Sequence, residues 1–322
     1  MLNLKTLLAS TMMLLSPAAA NAAEALTVAV TGSHSWDSSV TMYGDRLGYF
    51  EEAGLDVEVA VTEIMSQNLQ AVVSGSVDVG VVAVPIFIAA GMEGAPIVMI
   101  ASAFKGVPDF LWYVRSDSPI KSLRDVTEET TLGVSSLGST SHILLETFFE
   151  QYGVDGNVVA VGNAAAGMTQ VMTGEIDIGS DGNGLLGVPQ YAAEEVRPIA
   201  YGSELEVMND VTIRGFVVTE ETLTNRRDDL VKFLQAYQKT VDWMYSGDPR
   251  AIEGFAEGTQ SSIEEATRVR ENSYPEGHLN VGEVTGLDLT ISQSLAFKRI
   301  DRAPTPEELT RMFQTLWHRG MQ

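Results

Sequence analysis

The sequence predicts an α/β protein of two lobes, each a mostly parallel sheet flanked by helices. Strand-like and helix-like segments alternate from Leu26 onward, which is the pattern of βαβ units. The run 77–84 is apolar except for Asp78, as in a parallel strand that is covered on both faces. The chain has 322 residues, enough for two domains that each bury a core.

The first lobe begins with apolar, β-branched residues and continues through helix-like spacing. Leu47 and Phe50 fall on one helical face, and Gly54 is a typical residue just after a helix end. The predicted elements are a strand at 26–30, a helix at 40–53, a strand at 55–61, a helix at 69–73 and a strand at 77–84.

A weak internal repeat favours two lobes of the same plan. The segment SGSVDVG at 74–80 returns 99 residues later as TGEIDIG at 173–179. A Gly-Ser turn follows the first strand at 32–35, and another follows the predicted strand 131–134 at 138–141. Either repeated segment alone is a common feature of βαβ units, but two repeated segments in the same order indicate that the lobes are related.

Two strand-like segments, 110–115 and 211–218, predict the crossings between the lobes. We therefore expect a first lobe at 24–112 and 215–322, with 113–214 inserted as the second lobe. The remaining third is helical, with Thr305 as an N-cap, Pro306 in the first turn and Glu308 completing a capping box. One helical stripe contains Leu230, Phe233, Leu234, Tyr237, Val241 and Met244.

Residues 1–23 are typical of a secretory signal peptide. Lys5 precedes an apolar run at 7–15, and the small-x-small site Ala20-Asn21-Ala22 predicts cleavage near Ala22. We expect an exported, soluble protein of the periplasm. Plain secretion is the alternative.

Composition excludes several classes of function. With 43 acidic and 20 basic residues, the formal charge of −23 argues against nucleic-acid binding. The absence of cysteine excludes disulfides, zinc–thiolate sites, iron–sulfur clusters and thiol catalysis. H-E-x-x-H, P-loop and G-x-S-x-G motifs are missing. Residues 182–187 match G-x-G-x-x-G, but Pro189 interrupts the helix that should follow, so the glycines are explained by tight turns. We expect no catalytic residue, metal or cofactor.

The turn Gly138-Ser139-Thr140-Ser141-His142 predicts an anion site. A strand runs into a small, hydroxyl-rich turn where a helix begins, so free backbone amides and the positive end of the helix dipole point outward. Ser139 or Thr140 could instead only cap its own helix, and His142 could be a cap or surface residue.

Further candidates would line a cleft at the carboxyl ends of the strands. The predicted ligand-binding set is Ser33, His34, Trp36, Val84, Pro85, Gly138, Ser139, Thr140, Ser141, His142, Asp181, Asn183 and Arg214. Trp36 would pack on the apolar part of a ligand or lie in the core. Arg214 would pair with a bound carboxylate or sulfonate, or form a salt bridge between the lobes. The Asp181–Asn183 loop would hydrogen-bond the ligand or form Asx turns. Arg115 is interpreted as a structural or surface residue.

Four segments in order resemble the substrate-binding proteins of ABC transporters in the sulfonate, taurine and nitrate group, which are similar in fold to thiamine-pyrimidine synthases. They are GYFEEAGLDV at 48–57, SGSVDVG at 74–80, SPIKSL at 118–123 and GSTSHILL at 138–145. One departure is Gly182-Asn183-Gly184, which stands where sulfonate binders carry an aromatic or Asp-Pro element.

The resemblance implies a periplasmic-binding-protein clamshell of the type II kind. It also implies capture of a small anionic molecule, such as a sulfonate or taurine, and delivery to an inner-membrane ABC permease. We expect a monomer. A second hypothesis is an aromatic or pyrimidine-type ligand stacked on Trp36. Hypotheses of other classes are an exported enzyme and a sensor module that docks on a receptor. The synthases use a histidine and a cysteine-rich motif, and the absence of cysteine argues against that activity.

Overall fold

The computed structural model describes residues 25–32, 35–137, 139–182, 184–185 and 188–317. The predicted signal peptide lies outside the described residues. The strands are β1 (Leu26–Thr31), β2 (Val57–Thr62), β3 (Val79–Ala83), β4 (Ile97–Lys105), β5 (Leu111–Arg115), β6 (Thr131–Val134), β7 (Asn157–Ala160), β8 (Gly179–Asp181), β9 (Val196–Tyr201), β10 (Thr212–Thr219) and β11 (Leu279–Gly282). The helices are α1 (Ser39–Arg46), α2 (Tyr49–Glu52), α3 (Met65–Val73), α4 (Val84–Met92), α5 (Thr140–Tyr152), α6 (Ala164–Thr173), α7 (Pro189–Ala192), α8 (Glu220–Asn225), α9 (Arg227–Tyr245), α10 (Pro249–Thr259), α11 (Ile263–Ser273), α12 (Leu287–Ala296) and α13 (Pro306–Met312).

The first sheet has the strand order β11-β4-β10-β3-β1-β2. β1 pairs in parallel with β2 and β3, and β10 runs antiparallel between β3 and β4. Both faces of this sheet are covered: one by the long helix α9 with α1 and α10, the other by α3, α4 and α13. This double cover explains the nearly continuous apolar run of β3.

A two-stranded sheet, β6-β7, and a three-stranded sheet, β8-β5-β9, are together called the second sheet here, and they repeat the beginning of this plan. β6 and β7 pair in parallel, and a parallel bridge joins Leu132 of β6 to Ile178 just before β8. β8, β5 and β9 form an antiparallel ribbon. The order β7-β6-β8 in the second sheet therefore corresponds to β2-β1-β3 in the first.

The predicted domain boundaries each fall inside a strand. The boundary at 112/113 falls inside β5 of the second sheet, and that at 214/215 falls inside β10 of the first. Val107 and Val211 pack in the core of the second sheet. We therefore propose boundaries after Lys105 and before Thr212, because a strand belongs to the sheet whose backbone it pairs with.

Most of the predicted elements are present with small shifts. The helix predicted at 40–53 is divided into α1 and α2, because Gly48 adopts φ 76° between them. The Thr305 side chain caps α13, and the Glu308 carboxylate accepts a hydrogen bond from the Thr305 backbone amide, as the capping box predicts. The stripe predicted from Leu230 to Met244 is the buried face of α9. Among the helices of the described residues, none combines the length and the hydropathy needed to span a bilayer.

Candidate functional site

A cavity of about 640 Å³ opens where strands of both sheets end. Ile64 follows β2, Pro85 and Ile86 follow β3, and Ser135 and Ser136 follow β6. Open α/β sheets bind ligands at this edge because the chain leaves loops and helix N-termini there. The described lining residues are Ile64, Ala83, Pro85, Ile86, Phe110, Ser135, Ser136, Leu137, Ser139, Thr140, Ser141 and Arg299.

Hydroxyl groups cluster on the wall of this cavity where α5 begins. Ser139 is the N-cap: its Oγ accepts a bond from the His142 amide at 3.4 Å and lies 3.0 Å from the Ser141 Oγ. The Ser135 amide donates to the Ser141 Oγ at 3.2 Å. Because the His142 amide is used by the cap, the amides of Thr140 and Ser141 are the first-turn donors that helix geometry leaves for a ligand. The wall therefore offers hydroxyls and the positive end of a 13-residue helix.

Arg299 contributes a positive charge to the same cavity. It lies between α12 and α13, and its backbone amide donates to the Ser294 carbonyl at 2.8 Å. Burial lowers the pKa of its guanidinium, yet an arginine stays protonated in proteins. Among the described lining residues it is the one charged side chain. Sequence reasoning missed Arg299, since nothing local distinguishes it and only the fold brings it beside α5.

The predicted set is only partly assembled at this cavity. Ser139, Thr140, Ser141 and Pro85 line it. Val84 does not: it is the first residue of α4, and its side chain is fully buried in the core. Ser33, His34, Gly138 and Asn183 lie outside the described residues.

Trp36 occupies the core, so its predicted place on the cleft wall is corrected. It is 1% exposed and packs edge-on against Phe255 and Tyr245, with ring centroids 5.1 and 5.9 Å apart. Both neighbours come from the C-terminal third of the chain. Of the two interpretations given to this residue, the structure supports the buried tryptophan.

The His142 side chain is not among the described residues that line the cavity. Its Nε2 lies 3.4 Å from Glu146 Oε1, one turn along α5, and its ring packs edge-on against Phe297 at 5.4 Å. The predicted ligand contact is replaced by a contact with the segment that follows α12. The His142 backbone amide, which donates a hydrogen bond to the Ser139 side chain, connects this residue to the site.

Arg214 forms a buried ion-pair cluster and does not line the cavity. Its guanidinium pairs with Asp37 at 3.1 Å and with Asp109, and it lies over the Phe104 ring at 4.8 Å. Burial opposes the charge, but Asp109 and Asp37 together raise the pKa of Arg214. The salt-bridge interpretation is therefore the observed one, and two carboxylates already occupy the group that was expected to bind an anion.

The loop after β8 forms a tight turn in its described part. The Asp181 carboxylate accepts the Leu185 amide at 3.0 Å, as in an Asx-type turn. Gly184 and Leu185 both have positive φ, and the helix that follows, α7, is only four residues long. The G-x-G-x-x-G match therefore lacks the long helix whose N-terminus would bind a pyrophosphate. Within the described ranges, no group of three acidic or histidine side chains could hold a metal ion.

Comparison with known proteins agrees with this architecture. Residues 37–251 match the model of the family described as NMT1/THI5 like. The 4-amino-5-hydroxymethyl-2-methylpyrimidine phosphate synthase THI13 of Saccharomyces cerevisiae is 23% identical over 63% of this chain. The chain spans 62% of the length of that relative.

Two solved structures have the same fold over nearly their whole length. The periplasmic aliphatic sulphonate binding protein SsuA from Escherichia coli superposes with a TM-score of 0.73 at 17% identity, covering 93% of this chain and 95% of that one. The alkanesulfonate-binding protein SsuA from Xanthomonas axonopodis pv. citri, bound to MOPS, gives a TM-score of 0.66 at 15% identity, covering 87% and 94%. The predicted two-lobed periplasmic-binding-protein fold is confirmed, and so is the predicted family resemblance.

Proposed function

The chain belongs to the NMT1/THI5-like family, and from this premise we propose that it is the solute-binding component of an ABC importer. It would capture a small organic anion, a sulfonate or taurine-like compound, between two lobes in the periplasm. An inner-membrane permease would receive the ligand, and the protein would act as a monomer without catalysing a reaction. The predicted signal peptide and the name of the Escherichia coli structural relative support the periplasmic location.

The observation that carries the proposal is the chemistry of the cavity wall. The hydroxyls and amides at the start of α5 face a cavity whose one described charged lining residue is Arg299. Hydrogen bonds to a charged group contribute about 1.5–3 kcal/mol each, so a few suffice for micromolar binding of an anion. The net charge of −23 does not prevent this, because salt screens distant charges beyond about 8 Å.

Isothermal titration calorimetry with methanesulfonate, taurine, acetate, nitrate and a neutral pyrimidine tests the proposal. We expect heat with a sulfonate and a loss of roughly 10-fold or more in affinity for Arg299→Gln. Arg115→Gln is the matched control, since Arg115 pairs with Asp117 on the surface and is expected to bind as wild type. Binding of the pyrimidine with no heat from any anion would overturn the proposal.

A pyrimidine-type ligand is the second candidate. The observation in its favour is the name of the yeast relative, a pyrimidine phosphate synthase. Against the original form of this hypothesis, Trp36 is packed between aromatic rings of the core and offers no face for stacking. Phe110 is the aromatic side chain among the described lining residues, so a ring ligand would stack there.

A further inference from the structure

Helix α11 brings a surface of the first lobe against the second lobe. Val269 of this helix packs in the core of the first sheet, together with Trp36 and Phe104. Gly184 and Leu185 belong to the loop after β8, and the Leu185 side chain is buried in a core of the second sheet. A contact between this loop and α11 is therefore a contact between the lobes.

Gly184 permits a close approach of the loop to α11. A Cβ atom at this position would lie 2.6 Å from the Ser273 Oγ and 2.8 Å from the Val269 Cγ1. Both distances are well inside van der Waals contact, which for carbon atoms lies at about 3.5–4.0 Å. Ser273 and Val269 are both buried, so a side chain at position 184 would have to push the loop away from α11.

The loop that carries Gly184 is fixed to its own lobe. The Leu185 amide donates to the Asp181 carboxylate at 3.0 Å, and the Leu185 side chain is buried. Leu185 has a φ of 61°, a left-handed conformation that is costly for a residue with a Cβ atom. Such a conformation is kept where the surrounding structure determines it. We therefore expect the loop to move together with the second lobe.

An aromatic contact lies next to the glycine contact. The Arg268 guanidinium lies 4.8 Å from the centroid of the Tyr191 ring, close enough for a cation–π interaction. Tyr191 belongs to α7 and packs against the same core of the second sheet as Leu185. Arg268 precedes Val269 on α11, so neighbouring residues of one helix contact the second lobe at two points.

We propose that this contact is a latch between the lobes. Val269 and Ser273 of α11 receive Gly184, Arg268 receives Tyr191, and the contact holds the two lobes in the arrangement that forms the cavity. These residues are not among the described residues that line the cavity, so they act on binding through the population of this arrangement. The apparent Kd of a ligand equals its intrinsic Kd divided by the fraction of protein in the binding-competent arrangement. The latch does not depend on which ligand the protein binds.

Distances between spin labels on the two lobes test the latch without a ligand. The chain contains no cysteine, so Val73→Cys in α3 and Thr169→Cys in α6 place one exposed label on each lobe. Double electron–electron resonance is expected to give a longer or broader distance distribution for Gly184→Ala than for the wild type. Gly174→Ala is the matched control, because Gly174 has a φ of 74° against 73° at Gly184 and its added Cβ would meet no neighbouring atom within 4 Å. Equal distributions for both alanine variants overturn the inference.

Making room on α11 tests whether the close approach is the cause. Val269→Ala with Ser273→Ala removes the two atoms nearest to a Cβ at position 184. In combination with Gly184→Ala, this pair is expected to return the label distances toward those of the wild type. The thermal midpoint of each variant establishes that it is folded. No return of the distances in a folded triple variant assigns the effect to the loop alone and overturns the latch.

Calorimetry with methanesulfonate measures the consequence for binding. Gly184→Ala is expected to weaken binding by roughly 10-fold or more, and Gly174→Ala is expected to stay within about twofold of the wild type. Arg268→Gln, which removes the cation–π contact, is expected to weaken binding by about two- to fivefold. Arg124→Gln is its control, because Arg124 lies over the Tyr152 ring at 3.8 Å within the second lobe.

The failure of the latch and the failure of the proposed function give different results. If no sulfonate binds, the proposed function is overturned, and the label distances still decide on the latch. If methanesulfonate binds equally well to the wild type, Gly184→Ala and Arg268→Gln, the latch is overturned and the proposed function stands.

Discussion

Asp78 and Asp177, 99 residues apart, make the same contact in the two lobes. The Asp78 carboxylate accepts the Thr27 amide at 2.9 Å at the start of β1, and the Asp78 amide donates to the Thr27 carbonyl. The Asp177 carboxylate accepts the Thr131 amide at 2.8 Å at the start of β6, with the same return bond. Each aspartate thus helps to fix the register of the strand pair that it precedes: Asp78 that of β1 with β3, and Asp177 that of β6 with the segment leading into β8.

Replacing these aspartates by alanine is expected to destabilise the protein to different extents. Asp78 also accepts a bond from the Arg226 guanidinium at 3.0 Å, so Asp78→Ala should lower the free energy of unfolding by about 2 kcal/mol. Asp177 is exposed, so Asp177→Ala should lower the free energy of unfolding by only about 1 kcal/mol. Urea denaturation measures both, with Glu175→Ala as a surface control. Equal losses for all three variants would contradict the assigned contact.

The paired aspartates also show what sequence patterns reveal. The repeat around Asp78 and Asp177 is visible in the sequence because the same local βαβ geometry requires the same residue types in both copies. The capping box at Thr305 is likewise written within four residues. The predicted single helix at 40–53 is divided in the structure because Gly48 adopts a left-handed backbone that breaks the helix, and helical spacing alone does not indicate such a break.

The site itself was less readable than the fold. Ser139 and Ser141 were found because a strand, a hydroxyl-rich turn and a helix follow one another in sequence. Arg299 was missed because about 160 residues separate it from that turn, and Trp36 and Arg214 were misplaced for a related reason. The aromatic residues that bury Trp36 come from the C-terminal third of the chain. Arg214 forms an ion pair with Asp109, which lies on the other crossing between the lobes. Such contacts are set by tertiary packing and leave no periodic signal.

The Arg214 cluster should be among the most sensitive positions in the protein. Arg214→Met removes the positive charge between two poorly exposed carboxylates, Asp37 and Asp109, and is expected to cost about 3–5 kcal/mol. Arg115→Met, on a surface pair, should stay within about 0.5 kcal/mol of wild type. Chemical denaturation compares them. If the single variant does not fold, Arg214→Met with Asp109→Leu should restore part of the loss, and no recovery would argue against the pairing.

The C-terminal capping box predicts a specific pH dependence. Hydrogen bonds from Arg302, and then from the Thr305 amide, lower the pKa of Glu308 to about 2 from a usual value of 4.5. A carboxyl group whose pKa is lower in the folded than in the unfolded state stabilises the fold at pH values above its unfolded-state pKa. This stability is lost as the pH falls from 4.5 toward 2. Glu308→Gln should therefore lower Tm at pH 7, and the difference from wild type should shrink over that window.

Thermal unfolding at several pH values measures this difference. Glu307→Gln is the control, because Glu307 lies in the same first turn without the Arg302 contact. A gap between wild type and Glu308→Gln that stays constant from pH 7 to pH 3 would rule out the proposed linkage.

Trp36→Ala separates a structural from a ligand-binding role for this residue. The loss of a fully buried indole should cost about 3–5 kcal/mol. Phe255→Ala is the matched control because Phe255 packs on the same ring and is equally buried. We expect both folded variants to bind the sulfonate with affinities within about twofold of each other, since an affinity ratio of two is under 0.5 kcal/mol. A much larger loss of affinity for Trp36→Ala than for Phe255→Ala would show that Trp36 contributes to ligand binding.

Ser139 is predicted to act twice, as a helix cap and as part of the anion site. Ser139→Ala should lower stability by about 1 kcal/mol, as the loss of an N-cap does. Thr305→Ala removes an N-cap of the same kind on α13 at a residue that does not line the cavity, and it should cost a similar amount. Only Ser139→Ala should also weaken sulfonate binding, by roughly 10-fold if its hydroxyl contacts the anion. Calorimetry with both variants decides the matter: if they bind the sulfonate equally well, Ser139 only caps its helix, and the anion is held by the Thr140 and Ser141 amides with Arg299.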